Sequence, residues 1–409
     1  MKKKLFTVAL VLVMAATALT VSGRAAGLFD FAFQQKDTVT ISREEYEQLQ
    51  HFAEMGEMLG YIQAWYLEEP DTDKLMDYAA KGMMAGLGDP YSVYYTADEW
   101  AKMWEDDQGE YVGIGIQFLS GTETSVGTIT QVFRNGPAER AGLRKGDVLI
   151  RVEDIEVNLF TVQDAVNVMR GKEGEEVEIE ILRGGEKMTF RMERASITVN
   201  RTEYTMLPDN IGYIALYEFA GESSQEFSDA LADLKSKGAR SLIVDLRDNP
   251  GGWVDSARQI ADLFLDAGIL AYSEDRYGNR DEREFRTQDG KDDIPLVMLV
   301  NENSASSSEI LAGGLQDLKR ATVVGTQTFG KGIIQTVNGL GEERGGFALT
   351  YAQYFLPSGA AVHKLGITPD VLSEMPEDQQ TTYRELGDMS DPQLKDAWDI
   401  AVGLTQAKD

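Results

Sequence analysis

The spacing of apolar positions changes three times along the chain, and each change marks a different kind of structure. Behind Met1 and three lysines, residues 5–21 form an uncharged apolar run. Residues 42–105 then show a helical period, with Met55, Met58, Leu59, Ile62, Trp65 and Tyr66 recurring at three- and four-residue intervals. Such a stripe is ordinary helix core. Ser42 with Glu45, and Thr96 with Glu99, have capping-box spacing. Beyond residue 108 the period drops to two. Val177, Ile179 and Ile181 alternate with polar residues, Gly184 and Gly185 turn the chain, and Met188, Phe190 and Met192 alternate back, which predicts a hairpin. From 199 onward, short continuous apolar runs at 211–217, 241–246, 295–300 and 321–324 predict buried strands. Helical patterns at 223–237, 253–266 and after 306 separate them, as in an α/β core. A strand at 347–355 and a helix at 391–404 follow.

Composition narrows what such a chain can do. Its 409 residues suffice for two or three domains, and a net charge of −29 leaves no basic surface able to neutralise a nucleic-acid backbone. Cysteine is absent, which excludes disulfides and thiolate metal sites. The acid cluster within 272–293 lacks metal-ligand spacing and reads as a solvated loop or hairpin around Gly278. No metal and no cofactor is expected. There are two histidines, His51 and His363, so a Ser-His-Asp triad would depend on one of them. The lysines before the 5–21 run predict an export signal or an uncleaved signal anchor over residues 1–26, and work outside the cytoplasm.

Candidate chemistry gathers in residues 301–335, where strand, serine-rich turn, helix, strand and a Gly-Lys-Gly loop succeed one another. Ser304, Ser306, Ser307 and Ser308 crowd the turn. Ser306 and Glu309 have capping-box spacing, and a cap accounts for such a pair more often than a nucleophile does. Residues 325–331 also match G-x-x-x-x-G-K. Gly332 replaces the Mg²⁺-binding hydroxyl, however, and an apolar strand follows where a phosphate-binding loop needs a helix, so nucleotide binding is rejected. A serine at a helix start with a lysine in a glycine-lined loop can form a nucleophile and its base. From spacing alone, any of the four serines could serve.

This stretch closely resembles the carboxyl-terminal processing peptidases, tail-specific Ser/Lys proteases. The resemblance selects Ser306 as nucleophile, Lys331 of F-G-K-G as base and Gln335 as the residue orienting the lysine. It matches Asp317, three helical turns on, to a supporting acid. The chain departs from the family pattern at Ser307, where Ala is usual, and at Thr326-Gln327, where Glu-Pro is common. D-L-R-D-N-P-G-G at 245–252 resembles the family's oxyanion loop, otherwise a tight turn. It implies backbone donors from Gly252 and Ser307, with Gly251 the fallback. D-P-Y-S at 89–92 matches the segment before the family's PDZ domain. Residues 136–150, GPAERAGLRKGDVLI, resemble a PDZ domain spanning 108–196. Val112, Gly113, Ile114, Gly115 and Ile116 would receive a peptide carboxylate there, and Arg170 would couple the PDZ domain to the core.

The resemblance therefore implies a multidomain α/β protein, α+β overall. It would comprise an N-terminal helical region (38–107), the PDZ domain (108–196), an α/β serine-protease core with a mixed sheet (199–372) and a C-terminal helical tail (373–409). The implied partners are exported proteins with free, apolar C-termini, with N-terminal membrane association and a homodimer through the N-terminal helices as further expectations. Two rivals stand beside it: a catalytically inactive PDZ adaptor, and a hydrolase dependent on His363, which is otherwise a surface or structural residue. A free lysine titrates near roughly 10.4. Lys331 therefore needs desolvation to act as a base, and its neighbours Phe329, Ile333 and Ile334 suggest an apolar pocket that supplies it. An ion pair with Asp317 would oppose that shift, so the two are expected not to pair.

Overall fold

The computed structural model describes residues 41–50, 52–118, 126–133, 136–288, 290, 292–341, 344–376 and 385–408. The expected export segment and His51 lie outside them. No helix among the described residues is long and apolar enough to cross a membrane.

The chain divides into a small unit ending at Met83 and a large one from Met84 onward. In the first, helices Arg43–Gln50 and Ala53–Trp65 form where the period indicated. Ser42 and Glu45 cap each other, the Ser42 N–H donating to Glu45 at 2.8 Å and the Glu45 N–H to Ser42 Oγ at 3.1 Å. The expected burial of the stripe does not occur. Helix Ala53–Trp65 buries none of its residues, and Met58, Trp65 and Tyr66 are exposed. A helical period shows that one face is apolar, but not that this unit contains a face to cover it.

In the large unit a six-stranded sheet forms the centre of the core. Its order is Thr202–Leu207, Ile211–Leu216, Ser241–Asp245, Leu296–Val300, Thr322–Gly325, Val371–Leu372. The first pair is antiparallel and the rest are parallel, so the sheet is mixed. Central strands Ile211–Leu216, Ser241–Asp245 and Leu296–Val300 are buried at every position, which is why they read as unbroken apolar runs. Their residues still divide by parity. Ile214, Leu242, Val244, Met298 and Val300 pack with Phe227, Ile260, Ile310 and Leu311 of helices Ser223–Ser236, Val254–Asp262 and Ser307–Asp317. Tyr213, Ile243, Val297 and Leu299 face the other way, onto Leu394, Ala397 and Ala401 of helix Pro392–Lys408. The expected C-terminal tail is thus the second layer of the core.

A buried polar cluster fixes that layer to the loop after Ser241–Asp245. Arg247 is bonded to Asp245 at 2.6 Å, Asp391 at 2.7 Å and Gln393 at 3.0 Å, and Tyr213 donates its hydroxyl to Asp245 at 2.7 Å. Asp391 also accepts the N–H groups of Gln393 and Leu394, capping the terminal helix. Asp391→Ala removes both the cap and a partner of a buried guanidinium. It should lower stability by about 3–5 kcal/mol in a guanidinium unfolding titration. A loss below about 1 kcal/mol would show that Asp245 and Gln393 satisfy Arg247 without Asp391.

The PDZ region forms as its alternation predicted. Glu176–Arg183 and Glu186–Glu193 pair as an antiparallel hairpin, with Val177, Ile179 and Ile181 buried. Strand Val148–Val152 joins them, and helix Val162–Met169 contributes Ala165 and Met169 to the same core. A second sheet in the core carries strand Ile333–Gly339, paired along Gly346–Phe355 with a bulge between Ile334 and Gln335.

Candidate active site

Strand Leu296–Val300 ends in the serine turn, and helix Ser307–Asp317 leaves it. Ser306 sits at the corner with φ 53° and ψ −116°, a conformation that L-residues rarely adopt. A side chain held on so sharp a strand-to-helix turn projects clear of both elements, as at a nucleophile elbow. Several contacts hold the turn: the Ser306 N–H donates to Glu309 Oε2 at 2.9 Å, as in a capping box, and Tyr354 Oη donates to the Ser306 carbonyl at 3.2 Å. The cap that the spacing predicts therefore exists, on the same residue that the family pattern marks as reactive.

The other serines are committed to structure. Ser304 Oγ donates to the Leu246 carbonyl at 2.8 Å, Ser307 Oγ to that of Gly252 at 2.8 Å and Ser308 Oγ to that of Asn249 at 3.0 Å. All three are fully buried. They fasten the serine turn to the 245–252 loop, while Ser306 lines an open cleft of about 2620 Å³. Three-dimensional packing thus separates serines that the sequence left equivalent.

The glycine loop is set with equal care. The Phe219 N–H donates to the Gly251 carbonyl at 2.8 Å, and the Trp253 N–H returns to Phe219 at 2.6 Å. In a trans peptide the C=O and N–H point opposite ways. Both the N–H and the C=O of Gly252 therefore face away from Phe219. The carbonyl receives Ser307 Oγ, so the N–H lies on the serine side. Gly251 is otherwise engaged, its N–H donating to Asn249 Oδ1 at 2.9 Å, and so it is not the fallback donor that the sequence offered. Its glycine identity has a steric reason. A Cβ there would lie 2.7 Å from Ser306 Cβ and 2.7 Å from the Ala305 carbonyl oxygen.

Lys331 follows on the loop before strand Ile333–Gly339. Its Nζ lies 4.4 Å from the centroid of the Tyr91 ring. Burial lowers its pKa from the ordinary lysine value, against the opposing charges of Asp89 and Glu309. The desolvation predicted from sequence is present, but its source differs. Phe329 is 57 % exposed, and the platform is Tyr91 of the D-P-Y-S segment. Sequence reasoning gave that segment no chemical role, because nothing local links residue 91 to residue 331. Asp89 is itself held below the ordinary carboxylate range. Burial works against this, and hydrogen bonds from Ser92 and Tyr91 and the charge of Lys331 outweigh it.

Gln335 is not placed on the lysine. Its amide donates to Thr350 Oγ1 at 3.1 Å, and the Thr350 N–H donates to Ser92 Oγ at 3.0 Å. The bulge opposite Ile334 and Gln335 passes over Tyr351 of the partner strand and sets Gln335 opposite Thr350, while Lys331 lies before the strand begins. Asp317 is also elsewhere. It ends its helix and accepts the Ser358 N–H at 2.7 Å, without pairing with Lys331. His363 packs its backbone against Gly332, where an added Cβ would meet the His363 nitrogen at 2.2 Å, and its Nδ1 is buried without a hydrogen-bond partner.

Gln163, Val166, Asn167 and Arg170 of the PDZ region line the same cleft as Ser306. Arg170 lies over the Tyr111 ring at 4.8 Å and reaches Glu105 at 3.9 Å. Glu105 belongs to helix Ala97–Gln108, whose Trp104 stacks on Trp253, the residue after Gly252, at 5.8 Å. In the 112–116 segment, Gly115 has φ 82°, and Ile114 and Ile116 are buried. The Ile114 carbonyl accepts the Ala138 N–H at 2.8 Å, which turns the Gly115 N–H to the opposite side. Val112 and Gly113 pair with Ser196 and Ala195.

Fold and site together define a serine peptidase carrying a PDZ domain. Residues 210–373 match peptidase family S41, 128–183 match the PDZ domain and 19–99 match the activating protease CtpB N-terminal domain. The chain is 34 % identical over 349 residues to a carboxy-terminal-processing protease of Bartonella bacilliformis, covering 84 % of this chain and 79 % of that one. It is 33 % identical over 347 residues to a carboxyl-terminal-processing protease of Synechocystis, covering 83 % and 80 %. The solved photosystem II D1 C-terminal processing protease superposes with a TM-score of 0.53 at 29 % identity, over 83 % of this chain and 92 % of that one. The chain belongs to the carboxyl-terminal processing peptidases.

Proposed function

We propose that this serine peptidase works through a Ser306/Lys331 dyad, holds the free C-terminus of an exported protein in its PDZ domain and cuts near that end. The observation that carries the reading is the division of labour among the serines: three are buried on carbonyls of the 245–252 loop, and Ser306 stands at a strained corner on the cleft. In this mechanism Ser306 Oγ attacks the peptide carbonyl carbon and gives its proton to neutral Lys331 Nζ. The Gly252 and Ser307 N–H groups take the oxyanion. Collapse breaks the C–N bond, the lysine ammonium protonates the departing amine, and an ester on Ser306 remains. Lys331 then takes a proton from water, whose oxygen attacks the ester; the bond to Ser306 Oγ breaks, the lysine ammonium returns its proton to Oγ, and the new carboxylate leaves. Gln335 supports this arrangement through Thr350 and Ser92, the same segment that carries Tyr91.

Strand Ile333–Gly339 supports the substrate side of the reading. Among the described residues it pairs along one edge only, and residues 333–337 line the cleft, which suits an extended peptide added as a further strand. Export through residues 1–26, membrane association and an apolar preference at the substrate terminus belong to the same proposal. The test compares cleavage of one apolar-ended peptide with a free and an amidated C-terminus by the full chain. Amidation should raise KM by about tenfold or more, as loss of a charge-assisted contact predicts. Equal kinetics for the two peptides would remove carboxylate capture from the proposal and leave the dyad standing.

A further inference from the structure

Glu309 does far more than a helix cap requires. It is fully buried, and its carboxylate receives four donors. Oε2 accepts the backbone N–H of Ser306 at 2.9 Å and that of Lys331 at 2.8 Å. Oε1 accepts the Thr328 hydroxyl at 2.6 Å and the Gly330 N–H at 2.7 Å. One oxygen thus binds the main chain of both members of the dyad, twenty-five residues apart in sequence, and holds their nitrogens within two hydrogen-bond lengths of each other. A cap needs only the first of these contacts. The other three reach across to residues 328–331, the loop that presents the lysine. Phe329 adds a parallel tie, its N–H donating to the Ser304 carbonyl at 3.0 Å.

We infer that Glu309 is a positioning residue for catalysis: its carboxylate sets the separation of Ser306 and Lys331, and its charge tunes the proton affinity of the lysine. The inference rests on the proposed dyad. Burying a carboxylate is costly unless its lone pairs are filled, and here they are filled by the two segments that must stay in register. Burial pushes the Glu309 carboxyl up, against the pull of its four donors. The charged and titratable groups around Lys331 are Asp89 and Tyr91 from residues 89–92 and Glu309 from the helix. His363 and Lys364 lie on the turn packed against Gly330 and Gly332. A negative neighbour favours the ammonium form, so removing the Glu309 charge should lower the pKa of Lys331 further.

Three variants of the full chain test this beside wild type. Glu309→Gln keeps the shape but replaces one accepting oxygen with a donor. Its kcat should fall about 100-fold through misalignment. KM should stay within about twofold, and the acid limb of the kcat profile should move to lower pH. Glu309→Asp keeps the charge but is one methylene short, so kcat should fall with the limb in place. If Glu309→Gln does not fold, the Asp variant decides by its kcat. Wild-type kcat in either folded variant, or an unmoved limb in Glu309→Gln, overturns the inference. Lys331→Arg is the control for the reading beneath it. If that variant stays active, the dyad itself is wrong; if it is dead while both Glu309 variants match wild type, only the role of Glu309 falls.

Discussion

Ser306→Ala removes turnover by about 10⁵- to 10⁶-fold, the loss expected when the nucleophile of a serine peptidase is deleted, and leaves the protein folded. The expectation follows from the corner on which Ser306 sits. Its N–H, held by Glu309, and its carbonyl, held by Tyr354, fix the backbone independently of the hydroxyl. Removing Oγ leaves both of those contacts in place, whereas Ser304, Ser307 and Ser308 each anchor a loop carbonyl. Ser306→Gly sharpens the test. A φ of 53° with ψ of −116° strains an L-residue by about 1–3 kcal/mol, and glycine relieves that strain while adding roughly 0.5–1 kcal/mol of unfolded-chain freedom. The glycine variant should be as inactive as the alanine variant, and more stable than it by about 1 kcal/mol on guanidinium unfolding. Near-normal cleavage by Ser306→Ala would move the nucleophile elsewhere. A glycine variant less stable than the alanine variant by roughly 0.5–1 kcal/mol would mean that the corner is unstrained.

Lys331→Arg should be inactive although the positive charge and most of the bulk remain. A guanidinium cannot lose its proton at any pH at which the protein folds, whereas a desolvated ammonium can. In the wild-type enzyme, burial brings Lys331 below its ordinary value, while Asp89 and Glu309 oppose the shift. The neutral amine is the active form, so activity must rise with pH through the depressed lysine pKa; a limb falling over that range would have the wrong sign for a base. Tyr91 enters the same balance, since an aromatic face at 4.4 Å favours the cation. Tyr91 both excludes water and partly offsets the gain. Rates measured from pH 6 to 10 on wild type and Lys331→Arg decide the point. Retained cleavage by the arginine variant would direct attention to His363, whose backbone packs against Gly332 and whose pKa is lowered by burial and by Lys364 against the pull of Asp89.

Much was legible in the sequence wherever chemistry depends on neighbours along the chain. The unbroken apolar runs at 211–217, 241–246 and 295–300 announced buried strands because residues covered on both faces must be apolar at every position. The alternation at 177–192 announced the PDZ hairpin because a strand presents its two faces in turn. The Ser306–Glu309 cap was readable because a helix start is a local event. Positions related by folding alone were not readable. Four serines looked alike until their hydroxyls met the carbonyls of Leu246, Asn249 and Gly252. The resemblance set Gln335 on Lys331, and the strand register put it on Thr350 instead. Tyr91 reaches Lys331 across 240 positions of sequence, and Glu309 reaches its loop across twenty-two. The stripe of helix Ala53–Trp65 declared an apolar face without saying what covers it. Sequence by itself determined the elements, the family and the reactive residue types, because periodicity, capping and motif spacing are properties of the chain. Tertiary structure alone decided which serine meets the cleft, what desolvates the lysine and which carboxylate joins the two, because burial and hydrogen-bond partnership exist only once distant segments share one interior.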